Sequence, residues 1–336
     1  MNKDVLLSFI VPCFNVENYV QQCLDSIYSC DLDEKQFEVL CIDDYSSDGT
    51  RTILEQNGRQ HGNLRIIVNS TNKGLSATRN TGIREAKGEY LWFVDSDDFV
   101  TAKGLANLVY RMIDQDLDVL CFNYRQVDEE GKELSEHVVF NETSSQDGYS
   151  FVKTVFGKSI VYHMGYVVRF LYRTEYLRSH QLFFPEKVYW EDTVYMPKSI
   201  IEASRIASSA EILYSYRVNP KSFCSTFLRT YPAKSIFEFS FCAGSDLLSF
   251  SNEVKDEELK DAFYDTAVQK YINGFPIYLF RTSWSERKKF YALIKERKTE
   301  VNRLRRNMTM FRKGLLLPVI GPTLAEIGAA VYKVYH

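Results

Sequence analysis

The sequence predicts an α/β fold: a doubly wound, mostly parallel sheet with helices on both faces, followed by a mainly helical C-terminal extension. Two observations support this prediction. In the first 125 residues, short apolar segments alternate with segments whose apolar residues recur at helical spacing. From about residue 232 onward the helical spacing continues without further strand-like segments.

Five segments of the first 125 residues are predicted strands, because each is short and almost continuously apolar, as in a strand buried on both faces. In chain order they are 6–12, 37–42, 64–68, 90–94 and 117–123. The predicted helices between them are 20–27, 50–60, 76–87 and 102–115. Ser76 is the predicted N-cap of the third helix, and Gly88 ends it.

The pattern loosens after residue 126. Residues 127–145 are polar and loop-like, and a strand is predicted at 212–218. The predicted helices of this part of the chain are 150–156, 175–180, 233–250, 257–280 and 285–306. We therefore expect three parts, at 1–125, 126–230 and 231–336.

Length and composition are those of a globular protein. The chain has 336 residues, 45% hydrophobic and 25% charged, which is enough to bury a core without disulfides. Seven cysteines, an odd number without C-x-x-C spacing, predict reduced thiols in a cytoplasmic protein. The first residues, MNKDVLLSFIVPCFN, lack the features of a secretory signal, and no segment reaches the ~18 apolar residues of a spanning helix.

The charge is unevenly distributed along the chain. Residues 287–313 hold eleven Lys and Arg against two Glu, whereas residues 1–286 carry a net charge of −12. The acidic body argues against nucleic-acid binding. Because an amphipathic segment follows the basic one, we expect residues 287–336 to contact an anionic membrane surface at the inner face of the cell membrane. The alternative is a helix packed on the body, with its charges in solvent.

The run DSDD, Asp95 to Asp98, directly follows the predicted strand 90–94. Several carboxylates in four residues repel one another, and a divalent cation would offset that repulsion. Carboxylate oxygens suit Mg²⁺ or Mn²⁺, and such an ion can bind a diphosphate. The alternative is an acidic helix start, in which Asp97 or Asp98 caps the next helix.

Three further motifs have both a functional and a structural interpretation. In DDYSSDGT, Asp44 ends a strand and can accept hydrogen bonds from a base or ribose, or the motif is a turn with a helix cap. In NKGLSATRN, Lys73 and Arg79 can reach a phosphate, or they are solvated surface charges. In WED, a carboxylate beside aromatic residues can act as a general base, or Glu191 and Asp192 are favoured by a helix N-terminus.

Several function classes lack their motif in this chain. There is no G-x-G-x-x-G after the first strand, no G-x-x-x-x-G-K-[ST] and no G-x-S-x-G. A dinucleotide-binding dehydrogenase, a P-loop NTPase and a hydrolase with a nucleophile elbow are therefore not expected.

Four segments, taken together and in order, resemble the family 2 glycosyltransferases. They are SFIVPCFNVENYVQQCLDSI, FEVLCIDDYSSDGT, NKGLSATRNTGIREAKGEYLWFVDSDD and the later WED. The strong similarity covers about residues 6–100, and a weaker one extends through WED to LYSYRVNPKSF at 213–223. The resemblance implies the GT-A fold and transfer of a sugar from a nucleotide-sugar with inversion. The acceptor would be a hydroxyl of a glycan or of a lipid-linked glycan.

The resemblance also implies a role for individual residues. The implied donor-binding residues are Pro12, Phe14, Glu17, Asp44, Lys73, Arg79, Asp95, Ser96 and Arg217, with Tyr216 beside the last. Asp97 and Asp98 would hold Mn²⁺ or Mg²⁺, and Asp192, with Glu191 beside it, would deprotonate the acceptor. UDP is the implied nucleotide, residues 1–125 the implied donor-binding core, and residues 126–230 the implied acceptor side.

The chain departs from the family pattern at a few positions, none of them one of these carboxylates. Phe14 replaces a more usual Tyr, Tyr45 stands where a small residue is common, and Phe170 stands where a Lys is frequent. Two other functions stay open from the sequence. One is a membrane-associated protein that binds nucleotide-sugars without transfer. The other is a sugar nucleotidyltransferase, which would need a glycine-rich loop after the first strand.

Overall fold

A computed structural model describes residues 5–101, 103–156, 166–186, 191–219, 233–264 and 266–267, without the side chains of 156 and 233–242. The chain divides into two compact units, Met1–Pro220 and Lys221–His336. The predicted helix 285–306 and the predicted membrane contact 287–336 lie outside the described residues. The boundary predicted at residue 125 falls within one strand of the first unit and stays a prediction.

Nine strands of the described part of the first unit form one sheet. In chain order they are β1 Leu7–Cys13, β2 Phe37–Asp43, β3 Leu64–Val68, β4 Tyr90–Phe93, β5 Phe99–Val100, β6 Val119–Val127, β7 Glu133–His137, β8 Phe170–Arg173 and β9 Ile206–Arg217. The order across the sheet is β3-β2-β1-β4-β8-β6-β9-β5, and β7 pairs with β6. The α-helices in the described part of this unit are α1 Val20–Tyr28, α2 Thr50–Gln60, α3 Leu75–Glu85, α4 Leu105–Asp114, α5 Gly148–Phe151, α6 Thr174–Ser179 and α7 Glu191–Ile201.

The α/β class is confirmed, and the sheet is mixed. Strands β1 to β4 are all parallel, as the alternation of strands and helices predicts. Strand β8 then inserts antiparallel between β4 and β6, so that the predicted fifth strand, β6, does not pair with β4. Helix α2 packs against β3, and helix α3 packs against β1 and β2.

The core explains why the apolar segments form strands. Every residue of β1, β2 and β4 is buried, and most of these residues are apolar on both faces of the sheet. Trp92 of β4 lies at the centre, where its indole N–H donates to the carbonyl oxygen of Val168 at 2.7 Å. Its ring packs edge-to-face against Phe122, with 5.1 Å between ring centroids.

Most predicted elements of the first unit are present, and two agree at both ends: the helix 50–60 and the strand 64–68. The loop predicted at 127–145 contains a strand, β7. This strand was missed because its residues are polar and largely exposed. It lies outside the main strand order and pairs only with β6 among the described strands. The short strands β5 and β8 were also missed.

Two predicted helix starts were wrong, in both cases because a distant carboxylate binds the loop before the helix. Helix α3 begins at Leu75 after Gly74, whose φ of 87° suits glycine and whose N–H donates to Asp44 at 2.7 Å. Helix α4 begins at Leu105, and the N–H groups of Gly104 and Ala106 donate to Asp31 at 2.6 and 2.9 Å.

In the second unit, the described residues are helical over most of their length. Helix α8 spans Ala233–Glu253, as predicted to within a few residues, and residues 257–264 are helical. No described helix combines the length and apolar character that a membrane span requires.

Candidate active site

The DSDD run forms a turn at the carboxyl end of β4, and its side chains differ in exposure. Asp95 and Asp97 are partly exposed, whereas Ser96 and Asp98 are buried. Asp98 accepts hydrogen bonds from the Tyr214 hydroxyl at 2.6 Å and from the Arg217 N–H at 2.7 Å. The alternative of a helix cap is therefore wrong, because Asp98 binds β9 and the amides at the start of α4 bind a different carboxylate.

Tyr214 and Arg217 of β9 bind this turn through several hydrogen bonds. The Tyr214 hydroxyl also accepts from the Asp95 N–H at 3.2 Å. The Arg217 Nε donates to the carbonyl oxygen of Asp97 at 2.8 Å, and its terminal nitrogens donate to Gln22 and to the carbonyl oxygen of Glu129. The guanidinium of Arg217 is thus bound to the protein itself, and its predicted contact with the donor stays a prediction.

Negative charge accumulates at the DSDD turn. Burial, together with the charge of Asp95, raises the pKa of Asp97 to about 6. Burial and the charge of Asp97 raise the pKa of Asp98 well above its ordinary value. Carboxylates held together in this way favour a nearby cation.

Arg79 of α3 brings the DSDD and WED motifs together. Its Nη2 lies 2.8 Å from Asp95, and its Nη1 lies 2.6 Å from Glu191 and 3.1 Å from Asp192. The side chain is only 3% exposed, so Arg79 is not a solvated surface charge. Burial alone would lower the pKa of Arg79, but Asp95, Asp192 and Glu191 outweigh it and hold that pKa above its ordinary value.

Asp192 lies in the first turn of α7, where a backbone amide and Arg79 bind its carboxylate. Its Oδ2 accepts from the Val167 N–H at 3.3 Å, and its Oδ1 accepts from Arg79. Burial raises the pKa of Asp192 to about 7; Arg79 opposes this increase, and Glu191 adds to it. A carboxylate with a pKa near neutrality is both ionised and basic enough to take a proton at physiological pH. The helix α7 continues through Pro197.

Asp44, at the end of β2, organises the NKG loop. It accepts from the Asn69 side chain at 2.7 Å and from the N–H groups of Lys73 and Gly74 at 2.9 and 2.7 Å. The Asp44 carboxylate is buried and binds this loop, so Asp44 does not form the turn and helix cap that were the alternative for DDYSSDGT. That interpretation fits Asp48 instead, whose carboxylate accepts from the Thr50 N–H at 3.0 Å.

The other predicted donor-binding residues lie at the same edge of the parallel sheet. Pro12 is buried in β1, and Phe14, just after that strand, is 47% exposed. Glu17 accepts from the Gly49 N–H at 2.6 Å, which joins the β1 loop to the start of α2. Lys73 is exposed and bound to Asp44 through its backbone. Since β1 and β2 are parallel and adjacent, the loops after them share one rim.

The family model for glycosyl transferase family 2 matches residues 8–180 of this chain. That match covers half of the chain and includes the DSDD turn, the NKG loop and Arg79. The chain belongs to glycosyl transferase family 2.

Two related proteins are similar to about two thirds of this chain. It is 31% identical over 219 residues to the uncharacterized glycosyltransferase EpsJ of Bacillus subtilis (strain 168), which covers 65% of this chain and 62% of EpsJ. It is 31% identical over 211 residues to the poly(ribitol-phosphate) beta-N-acetylglucosaminyltransferase TarS of Staphylococcus aureus (strain Mu50), covering 62% of this chain. The similar region is only 35% of TarS.

Solved structures confirm the fold. The structure of S. aureus TarS 1-349 in complex with UDP-GlcNAc matches with a TM-score of 0.73 at 23% identity, covering 99% of this chain and 93% of that one. The mannosyltransferase PcManGT from Pyrobaculum calidifontis, in complex with GDP-Man and Mn²⁺, matches with a TM-score of 0.55 at 16% identity, covering 98% of this chain and 87% of that one.

Proposed function

We propose that this chain is an inverting glycosyltransferase that moves a sugar from a UDP-sugar to a hydroxyl of a glycan or lipid-linked glycan. The observation that carries the proposal is the cluster of Asp95, Glu191 and Asp192 around the Arg79 guanidinium. It sets the proposed base beside the proposed donor site. Similarity to the N-acetylglucosaminyltransferase TarS makes UDP-GlcNAc the first donor to test.

The residues support direct displacement at the anomeric carbon. Asp192 takes the proton of the acceptor hydroxyl, and the acceptor oxygen forms its bond to the anomeric carbon. The bond from that carbon to the diphosphate oxygen breaks, and UDP leaves with the electron pair. Because the acceptor enters opposite the leaving group, the configuration is inverted. Arg79 keeps Asp192 oriented through the hydrogen bond of 3.1 Å.

The DSDD turn fits a divalent ion that is shared with the donor. In the described part of the chain, no group of three or more His, Cys, Asp or Glu side chains could hold a metal by itself. Mg²⁺ is usually bound by one or two carboxylates together with substrate phosphates and water, which matches a turn with few protein ligands. Of the two predicted ligands, Asp97 is the stronger candidate, because Asp98 already binds Tyr214 and Arg217. Mn²⁺ or Mg²⁺ there would neutralise charge on the leaving diphosphate.

The proposal is tested by UDP release from UDP-GlcNAc, with Mn²⁺, Mg²⁺ or EDTA, by the wild type and by two variants. We expect Asp192→Asn to lower the rate by about 10²–10⁴-fold without weakening UDP binding. The matched control is Glu55→Gln, which removes an exposed carboxylate from a surface pair with Arg51. Equal rates for Asp192→Asn and the control would reject Asp192 as the base. Absence of UDP binding by the wild type would reject the donor site.

A membrane-bound acceptor would suit the basic segment 287–313 and the amphipathic segment after it. We expect the full chain to sediment with vesicles containing anionic lipid, and to do so less at high salt. A chain truncated at residue 286 should lose this sedimentation. If truncation leaves it unchanged, the proposed membrane contact of 287–336, and the location at the inner face of the membrane, are wrong.

A further inference from the structure

We propose that Tyr166 is an acceptor-binding residue, whose ring stacks against a pyranose ring of the acceptor and so selects a cyclic sugar. This inference rests on the proposed function. The proposal is carried by a juxtaposition: an exposed tyrosine adjoins the backbone amide that binds Asp192. Neither the sequence pattern nor the family match assigns a role to this residue.

The position of Tyr166 is defined by the residue that follows it in the chain and by an aromatic ring that packs beside it. The next residue, Val167, donates its N–H to Asp192 at 3.3 Å. On the other side, the Tyr166 ring lies 6.1 Å from the ring of Tyr216, between centroids. The residue after Tyr216 is Arg217, whose N–H binds Asp98. Tyr166 thus adjoins, along the chain, the amide that binds the proposed base, and its ring lies against a residue that adjoins a contact of the DSDD turn.

The ring of Tyr166 is held in place although it is exposed. It is 40% exposed, and it packs against Tyr124 at 5.5 Å between centroids. Tyr124 in turn stacks on His137 at 4.6 Å, with an angle of 8° between the ring planes. The buried guanidinium of Arg169 lies 5.9 Å from the Tyr166 ring and 5.4 Å from the Tyr124 ring. A ring supported on one side in this way loses little freedom when a ligand covers its other side.

The chemistry of this surface fits a sugar ring. The face of an aromatic ring carries partial negative charge, and the axial C–H groups of a pyranose present a flat, weakly positive surface. An open-chain polyol phosphate has no such flat surface and would be recognised through its charge. The guanidinium of Arg169, which lies 5.9 Å from this ring, is buried and covered by Tyr124, Phe140 and Tyr166. The aromatic cluster therefore favours a glycan over a polyol phosphate at this position.

The test measures binding of p-nitrophenyl β-D-glucopyranoside to the UDP-loaded full chain by saturation-transfer NMR and titration. We expect the wild type to bind the glycoside, with its axial protons most strongly saturated. Tyr166→Ala should weaken the affinity about tenfold, and Tyr166→Phe, which keeps the ring, should change it less than about threefold. The control is Tyr110→Ala, since Tyr110 is 44% exposed on α4, and this variant should bind as the wild type does.

The outcomes separate this inference from the proposed function. UDP titration of the same samples reports the donor site, so that loss of glycoside binding by Tyr166→Ala is scored only in protein that still binds UDP. If the wild type binds UDP but not the glycoside, or if Tyr166→Ala binds the glycoside as tightly as the wild type, the inference is wrong. Preferential binding of ribitol 5-phosphate, unaffected by Tyr166→Ala, would also overturn it. If UDP itself does not bind, the proposed function fails, and this inference fails with it.

Discussion

Replacing Arg79 with lysine tests whether this residue tunes the proposed base or binds the donor. Lysine keeps the positive charge, but its single ammonium group cannot reproduce the two-pronged guanidinium that contacts Asp95 through one nitrogen and Glu191 and Asp192 through the other. We expect Asp192 to lose its hydrogen bond of 3.1 Å, and the ionised form of its carboxylate to lose stabilisation accordingly.

The size of the effect follows from that bond. A hydrogen bond to a charged group contributes about 1.5–3 kcal/mol, and Asp192 is 19% exposed and keeps part of the attraction to the lysine. A loss of about 1.4 kcal/mol raises a carboxyl pKa by about one unit. The pKa of Asp192 is already raised to about 7 by burial, so the acidic limb of the pH–rate profile should move about one unit higher.

The assay is UDP release from UDP-GlcNAc between pH 5 and 10, with folding checked by thermal melting. Arg51→Lys is the control, because the pair of Arg51 with Glu55 is exposed and its loss should leave the profile unchanged. An unshifted profile in a folded Arg79→Lys variant would refute the argument. A raised KM for the donor with an unshifted profile would show instead that Arg79 contacts the donor, as the family resemblance implies.

Three further predictions concern the same unit. Activity should fall as the pH drops through about 7, because Asp192 becomes protonated. Asp192→Asn should remove this dependence from the pH–rate profile. If the activity of this variant still falls at low pH, the titrating group is not Asp192. Tyr214→Phe should lower the free energy of unfolding by ~1–2 kcal/mol in urea titrations, since the buried carboxylate of Asp98 loses a donor at 2.6 Å; equal stability would contradict this contact. Gly148→Ala should destabilise the chain by ~1–3 kcal/mol, because its Cβ would lie 2.0 Å from a backbone oxygen of α7, whereas Gly62→Ala, which meets nothing within 4 Å, should not.

The part of the fold that could be predicted is the part built from local pattern. Strands β1, β2 and β4 are mostly apolar because both of their faces are buried, and the parallel order of β1 to β4 places Asp44 and Asp95 at one edge. Strands β5 and β8 have only two and four residues, which is too short for a pattern to be recognised. Strand β7 pairs only with β6 among the described strands, and most of its side chains are in solvent.

The contacts of Arg79 could not be predicted in the same way. In sequence, it is one charge on a helix of ordinary composition, and its partners on α7 are 112 and 113 residues away. Its burial depends on how α7 packs relative to α3, which no local period encodes. The one available signal was the occurrence of NKGLSATRN and WED together, and that signal came from the family resemblance.

The DSDD turn shows why residue type and spacing alone do not assign roles. Four consecutive polar residues suggest equivalent ligands, yet exposure alternates along the turn, with Ser96 and Asp98 buried. A buried carboxylate needs hydrogen-bond donors, and β9 supplies them through Tyr214 and Arg217. These same donors fix the backbone around Asp97, since Tyr214 also binds the Asp95 N–H and Arg217 binds the Asp97 carbonyl oxygen. The Asp98 carboxylate is thus used to pack the turn on β9, and of the two predicted metal ligands only Asp97 stays partly exposed.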